Sequence, residues 1–270
     1  MKDKALPLVL DSVSFRWPGS GVFAAREVSG VFQPGEFVGI IGPNGAGKST
    51  ILRLAAGLAR PDSGNVAVFG EDPSAIPRRQ AARLVAFLPA SLHVGFPLSV
   101  AELVSLGRTC HLHGVFESRA DREAVIEAMR FADVLQFASR QYVELSAGEQ
   151  RRVLIARAVA QESRLLLLDE PTANLDASHA VRMLEGLSKR AAERGICVLA
   201  AVHDLNVALL FCDRLMLVTD GHVEACGRPE DVMLYPTLRK VFGGDFYVGR
   251  NEVNKKLFVV PMKASETGET

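Results

Sequence analysis

The sequence predicts an α/β fold: a parallel sheet flanked by helices, with an N-terminal antiparallel β subdomain and a helical insertion subdomain. Three observations carry that reading. A glycine-rich loop, Gly42-Pro43-Asn44-Gly45-Ala46-Gly47-Lys48-Ser49-Thr50, joins a short apolar strand, Phe37-Val38-Gly39-Ile40-Ile41, to a helical stretch from Ser49 to Ala56. Four consecutive leucines, Leu165 to Leu168, run into Asp169 and Glu170. A strand of that kind is buried on both faces, as in a parallel sheet. Between these segments, Ala90 to Leu145 turns helical in character.

Taken in order, Leu8 to Phe15 alternates apolar with polar residues and reads as a strand. Trp17-Pro18-Gly19-Ser20-Gly21 is a turn, and a second strand runs from about Glu27 to Phe32 before Pro34-Gly35. After the loop and its helix, Gly57 stands where a helix C-terminus favours glycine. Asn65 to Phe69 is a short strand, Pro77 to Ala82 is helical, and Leu84 to Leu88 is an apolar strand ending at Pro89. Ser99 and Glu102 have capping-box spacing and open one helix. A further helix spans about Arg122 to Phe131. Ser146 and Glu149 repeat the capping-box spacing, for a helix reaching about Gln161. Asp176 to Arg194 is an amphipathic helix stopped by Gly195, and Ile196 to Val202 is a second buried strand, ending at His203-Asp204. Leu215 to Thr219 is a strand turning at Asp220-Gly221. Pro229 to Phe242 reads as helix, Phe246 to Pro261 as a small hairpin, and residues 265–270 as a disordered polar tail.

The chain has 270 residues, enough for a large core. Lys+Arg and Asp+Glu both number 31, so net charge gives no reason to expect a nucleic-acid partner. Cys110, Cys197, Cys212 and Cys226 form no C-x-x-C pair, which reads as free thiols in a reducing compartment rather than a metal site or disulfides. His111 and His113 have no third ligand nearby and read as surface residues. The first residues, Met1 to Pro7, lack the apolar core of a secretory signal. No segment has the apolar length of a transmembrane helix, so a soluble chain is expected, with any membrane role exerted through a partner.

The chemistry begins at the glycine-rich loop, G-x-x-x-x-G-K-S-T, which is the phosphate-binding loop of an NTPase. A polyphosphate needs several backbone N–H donors converging on it, and side chains at Gly42, Gly45 and Gly47 would obstruct them. The helix that follows adds its positive end. Lys48 reaches the β- and γ-phosphates of a nucleotide, and Ser49 can ligate Mg²⁺. Asp169 and Glu170 stand at the C-terminal end of their strand, where open α/β sheets place their chemistry. Asp169 is assigned to the Mg²⁺ shell and Glu170 to polarising the attacking water. His203 falls at the same sheet edge and reads as a γ-phosphate contact. Trp17, the single tryptophan, reads equally as an edge-strand packing residue or as a face on which adenine stacks.

With these residues in place, the chain resembles the ATP-binding subunits of ABC transporters over about Leu8 to Pro261. Five motifs stand in the family's order. Gly42 to Thr50 matches Walker A, Leu145 to Gln150 looks like the signature, and Leu165 to Glu170 matches Walker B with its catalytic glutamate. Ala173-Asn174-Leu175-Asp176 resembles the D-loop, and His203 the switch histidine. The resemblance implies a P-loop NTPase core with a RecA-like sheet. A single ATPase domain then spans residues 1–264, with core and β subdomain at about 1–89 and 150–245, a helical subdomain at about 90–149 and a C-terminal hairpin at about 245–262. It places Trp17 against adenine. It also implies a head-to-tail homodimer in which Ser146, Ala147, Gly148, Glu149 and Asp176 complete the ATP site of the other copy. The partners it implies are transmembrane permease subunits and, indirectly, a solute-binding protein, with the chain peripheral on the cytoplasmic face of the cell membrane. Phe96 to Arg108, His203 to Asn206 and Gly221 to Val232 look like importers of iron-siderophore, haem or cobalamin.

Two positions depart from the family. Ala147 replaces a usual signature glycine. Ala90 closes Phe87-Leu88-Pro89-Ala90, where the family normally has the Q-loop glutamine that contacts Mg²⁺ and the attacking water. ATP binding is expected to persist and turnover or its coupling to weaken. The alternatives are a permease-free ABC ATPase of the cluster-assembly type and a hydrolysis-impaired regulatory module. The apolar stretch Leu92 to Leu103 separates the permease-coupled reading from the permease-free one: it is either internal packing or a groove for a permease helix.

Overall fold

A computed structural model describes residues 5–92, 94–112 and 117–262. The expectations for His113 and for the tail at 265–270 lie outside these residues. Strands β1 (Leu8–Phe15) and β2 (Ala25–Phe32) pair antiparallel, and β3 (Phe37–Ile41) leads through the glycine-rich loop into helix α1 (Lys48–Ala55). Strand β4 (Ser63–Ala67) returns to β1, giving a three-stranded sheet of order β2-β1-β4. There follow α2 (Arg78–Leu84), β5 (Val85–Leu88), and the helices α3 (Val100–Ser105), α4 (Arg119–Phe131) and α5 (Ala147–Ala160). Then come β6 (Leu165–Asp169), α6 (Ala177–Arg194), β7 (Cys197–Ala201), α7 (Leu205–Phe211), β8 (Arg214–Thr219) and β9 (His222–Gly227). The short helices α8 (Pro229–Val232) and α9 (Tyr235–Phe242) lead to the hairpin β10 (Asp245–Arg250) and β11 (Leu257–Met262).

The main sheet has the order β5-β6-β7-β3-β8-β9; all strands are parallel except β9. Strands β3, β6 and β7 are buried throughout, which is why their sequences are continuously apolar. Alternation then divides each strand between two cores. Val38, Ile40, Leu165 and Leu167 face α1 and the antiparallel sheet. Phe37, Ile41, Leu166 and Leu168 face the other way, in one continuous core with Val100, Leu103, Ala128 and Val153 of the helical segment. The insertion therefore has no separate core: it is fused to the underside of the sheet. Because β6, β7 and β3 are neighbours, their C-terminal ends lie side by side, and so do the segments that follow them.

Both anticipated capping boxes form with both hydrogen bonds, at Ser99/Glu102 and Ser146/Glu149. A third, Ser118/Asp121, starts α4 three residues earlier than the periodicity suggests. The expected helix at Pro229 to Phe242 is two helices. Leu234 is extended ahead of Pro236, which lacks an N–H and blocks a continuous ladder. Helix α7 was not anticipated; Asp204 caps it by accepting from the Asn206 and Val207 N–H groups. Of the apolar stretch 92–103, Val100 and Leu103 are buried and Leu92, Val94 and Leu98 pack on the same core, whereas Phe96 is 75% exposed. Cys110, Cys197 and Cys212 are buried free thiols, and burial pushes Cys197 and Cys212 up to about 12.

One buried ion pair ties the helical segment together. Arg108 Nε donates to Asp121 Oδ1 at 3.0 Å, and Nη1 donates to Glu162 Oε2 at 2.6 Å and to the Ala160 carbonyl at 2.8 Å. Asp121→Ala leaves a buried guanidinium short of one counter-charge, so a loss of about 2–4 kcal/mol is expected in urea unfolding. The Ser118 hydroxyl, with the Ser118 N–H and Arg108 behind it, holds the Asp121 carboxyl below its ordinary value. A depressed folded value means that this stabilisation is present above the unfolded carboxylate pKa, about 4, and is lost as pH falls through the lower folded value. The stability difference between wild type and Asp121→Ala should therefore shrink in acid.

Candidate functional site

The loop Gly42–Thr50 wraps the start of α1. Its glycines at 42 and 47 have φ of 148° and 105°, and a Cβ at either would fall 2.0–2.1 Å from a backbone oxygen, of Val218 and of Ala24 respectively. These positions admit only glycine. Gly45 has open space where a Cβ would stand, so the loop there faces outward onto a cleft of about 560 Å³. That cleft is lined by Trp17, Ala24, the run Asn44 to Thr50, Glu170 and His203.

Lys48 and two side-chain pairs, Ser49–Asp169 and His203–Glu170, organise the cleft. Lys48 Nζ donates to the Gly42 and Pro43 carbonyls at 2.8 and 2.7 Å. Burial pulls its ammonium below the ordinary lysine value, while the Glu170 and Asp169 carboxylates oppose that shift. Ser49 Oγ donates to Asp169 Oδ1 at 2.9 Å. Asp169 is almost fully buried, and burial pushes its carboxyl upward, with the Ser49 hydroxyl pulling the other way. His203 Nε2 meets Glu170 Oε1 at 2.6 Å. Glu170 itself sits at φ 53°, a left-handed conformation that its surroundings must hold, and its N–H donates to the Ala201 carbonyl at 3.1 Å. Trp17, 38% exposed, does two things: it stacks edge-on against Phe15 at 4.9 Å and offers its indole N–H to Thr50 Oγ1 at 3.3 Å.

The structure thus brings together Trp17, Asn44 to Thr50, Glu170 and His203, with Gly42, Pro43 and Asp169 immediately behind. Ser146, Ala147, Gly148, Glu149 and Asp176 do not line this cleft. They form a second surface. Ser146 caps α5 and Asp176 caps α6, accepting the His179 N–H at 2.9 Å and pairing with its imidazole Nδ1 at 2.6 Å. These bonds hold the Asp176 carboxyl well below its ordinary range. A Cβ on Gly148 would lie 2.7 Å from the Asn174 carbonyl, so glycine there lets α5 pack on the loop before α6.

One residue of the site had no place in the sequence reading. Arg151 is 4% exposed; Nη1 donates to the Pro89 and Ala90 carbonyls at 2.7 and 3.2 Å, and Nη2 to the Glu170 carbonyl at 2.7 Å and to that of Asp169. The available signal was chemical: α5 is an Ala/Val/Ile-rich helix buried on most sides, so a charge within it required partners.

A family model described as ABC transporter matches residues 25–173. A cobalamin import ATP-binding protein of Halobacterium salinarum is 41% identical over 243 residues, covering 90% of this chain and 61% of that protein. The chain therefore spans about three fifths of the length of that relative. A hemin import ATP-binding protein of Pseudomonas entomophila is 41% identical over 221 residues, 80% of this chain and 85% of that one. Among solved structures, a dimeric bacterial ABC transporter cassette superposes with a TM-score of 0.75 at 29% identity, over 82% of this chain and 98% of the cassette. The same cassette has been solved as a dimer in a post-hydrolysis state with ADP and Pi.

Proposed function

The chain belongs to the ABC transporter family, and from that membership we propose that it is the ATP-hydrolysing subunit powering a membrane permease for uptake of an iron-siderophore, haem or cobalamin. The observation carrying the catalytic part is the meeting of the phosphate loop with the His203–Glu170 pair at one sheet edge. The cobalamin and hemin import relatives support the solute class, and favour permease coupling over a permease-free ATPase.

The residues fit Mg-ATP. The glycine-only loop is an amide cradle ahead of a helix N-terminus. A serine hydroxyl beside a buried aspartate is the hard-oxygen donor set that Mg²⁺ takes. Ser49 and Asp169 would hold the ion, which when bound would neutralise part of the phosphate charge. Lys48 adds a positive charge at the same phosphates. Glu170, held by His203, orients a water and takes its proton as it attacks. His203 ties the base to the γ-phosphate end of the cleft. In a two-fold, head-to-tail dimer the surface at Ser146 to Glu149 and Asp176 closes over the ATP of the other copy. Closure with ATP and opening after hydrolysis would drive the permease, with the chain peripheral on the cytoplasmic side. Among the described residues no helix is long and apolar enough to cross a membrane. The apolar side chains of residues 92–103 at Leu92, Val94, Leu98, Val100 and Leu103 pack internally, so the proposed permease contact there rests on Phe96, which is exposed.

Trp17 makes nucleotide binding directly readable, because it is the only tryptophan and lines the cleft. Adding Mg-ATP should change its emission saturably. Trp17→Ala, followed by a labelled nucleotide, should weaken binding about 3–10-fold, the worth of one aromatic stack. The transport reading is tested by uptake of labelled haem, cobalamin and ferric siderophore in cells deleted for the chain. Wild type should restore uptake of one of them and Glu170→Gln should not; restoration of none contradicts the reading.

A further inference from the structure

The parallel ladder between β5 and β6 ends at Leu88 and Leu168. Pro89 comes next and has no N–H, so the backbone cannot continue it. Beyond that point the two strand ends carry Ala90 on one side and the Asp169-Glu170 pair on the other. Four carbonyl oxygens, of Pro89, Ala90, Asp169 and Glu170, all accept from the single guanidinium of Arg151. The planar fork of arginine presents donors to two separate segments at once. The charge is buried with it: desolvation pulls the Arg151 pKa down while Asp169 and Glu170, with Tyr142 behind them, oppose that pull. Its Nε has no hydrogen-bond partner among the described residues. An apolar side chain would avoid both costs, so the four bonds mark what the arginine does here.

Glu170 is the catalytic group that this bracket touches. Its φ of 53° is strained, and four contacts hold it: its N–H donates to the Ala201 carbonyl, its carboxylate meets His203, and its carbonyl accepts from the Ala173 N–H at 3.0 Å and from Arg151, the one of the four that comes from the helical segment. Arg151 itself rides on α5, five residues after the Ser146 cap, and α5 packs with α3 and α4 in the helical segment. Ala90 has no polar side-chain atom, so the contact between its loop and the catalytic strand runs through its backbone.

We propose that Arg151 is a positioning residue for ATP hydrolysis, fastening the Pro89–Ala90 loop to the end of β6 so that a shift of α5 is delivered to the Glu170 carboxylate. The inference rests on the reading that this chain hydrolyses ATP with Glu170 as base. A bracket that sets the base, and not the phosphate cradle, acts on turnover and leaves affinity alone. A displacement of the base by about 1 Å costs on the order of 10²-fold.

The test compares wild type, Arg151→Gln, Arg151→Lys and Glu170→Gln for kcat, ATP Kd and thermal midpoint. Arg151→Gln should lose about 10–10²-fold in kcat with Kd within about 3-fold of wild type. Arg151→Lys, a point charge that reaches fewer of the four carbonyls, should fall between them. If Arg151→Gln does not fold, a reduced kcat at unchanged Kd in Arg151→Lys supports the bracket, and a wild-type kcat overturns it. The proposal is also overturned if Arg151→Gln folds and keeps wild-type kcat, or if the loss falls equally on Kd. Failure of the underlying reading looks different: wild type hydrolyses no ATP, or Glu170→Gln turns over as fast as wild type.

Discussion

Glu170→Gln should lower kcat for ATP hydrolysis by about 10²–10⁴-fold, the usual worth of a positioned general base, while ATP still binds. The substitution is isosteric and keeps an acceptor for the His203 N–H, which now meets Glu170 Oε1 at 2.6 Å. It removes only the ability to take a proton from water. The phosphate loop, Lys48 and the Ser49–Asp169 pair stay as they are, so affinity should change by less than about 3-fold. A parallel loss of affinity would mean that Glu170 supports the nucleotide rather than the water. Steady-state hydrolysis together with Trp17 emission separates the two outcomes.

Ala90→Gln should raise turnover, by about 10–10³-fold if a single well-placed polar contact is restored. Ala90 is exposed at the end of β5, and its carbonyl is already held by Arg151 at 3.2 Å. A glutamine side chain at this position therefore starts from a fixed backbone. ATP affinity should not change, because the binding loop is complete without residue 90. Wild type that turns over at the same rate as Ala90→Gln, alone and with its permease, would show that the glutamine is dispensable in this chain.

How far the sequence was legible follows from where information is local. The phosphate loop is a contiguous run whose glycines answer a backbone demand, so it could be read residue by residue. The two capping boxes with glutamate are equally local, whereas Ser118 with Asp121 uses the shorter acid and departs from the usual signature. Helix α7 is hidden behind its aspartate cap, which in the sequence reads as the end of a strand. Arg151 illustrates the other limit. Its partners lie 62, 61, 18 and 19 residues away in sequence, and carbonyl oxygens belong to every residue type, so no pattern announces them. The two strand ends put His203 and Glu170 at one sheet edge from sequence alone, but their direct pairing follows from the adjacency of β6 and β7, which no local pattern carries.

The central claim is that ATP is hydrolysed between two copies, with the loop of one facing the Ser146 surface of the other. It is tested most directly by mixing two inactive variants. Lys48→Ala disables the phosphate loop and keeps the Ser146 surface; Ser146→Arg does the reverse. In a head-to-tail heterodimer one site is then intact and the other carries both defects. Hydrolysis in the 1:1 mixture should rise well above the sum of the separate variants, toward about a quarter of wild type by counting sites in a two-fold dimer. A mixture no more active than that sum, with both variants folded and the Ser146→Arg chain still binding ATP, would contradict the shared site.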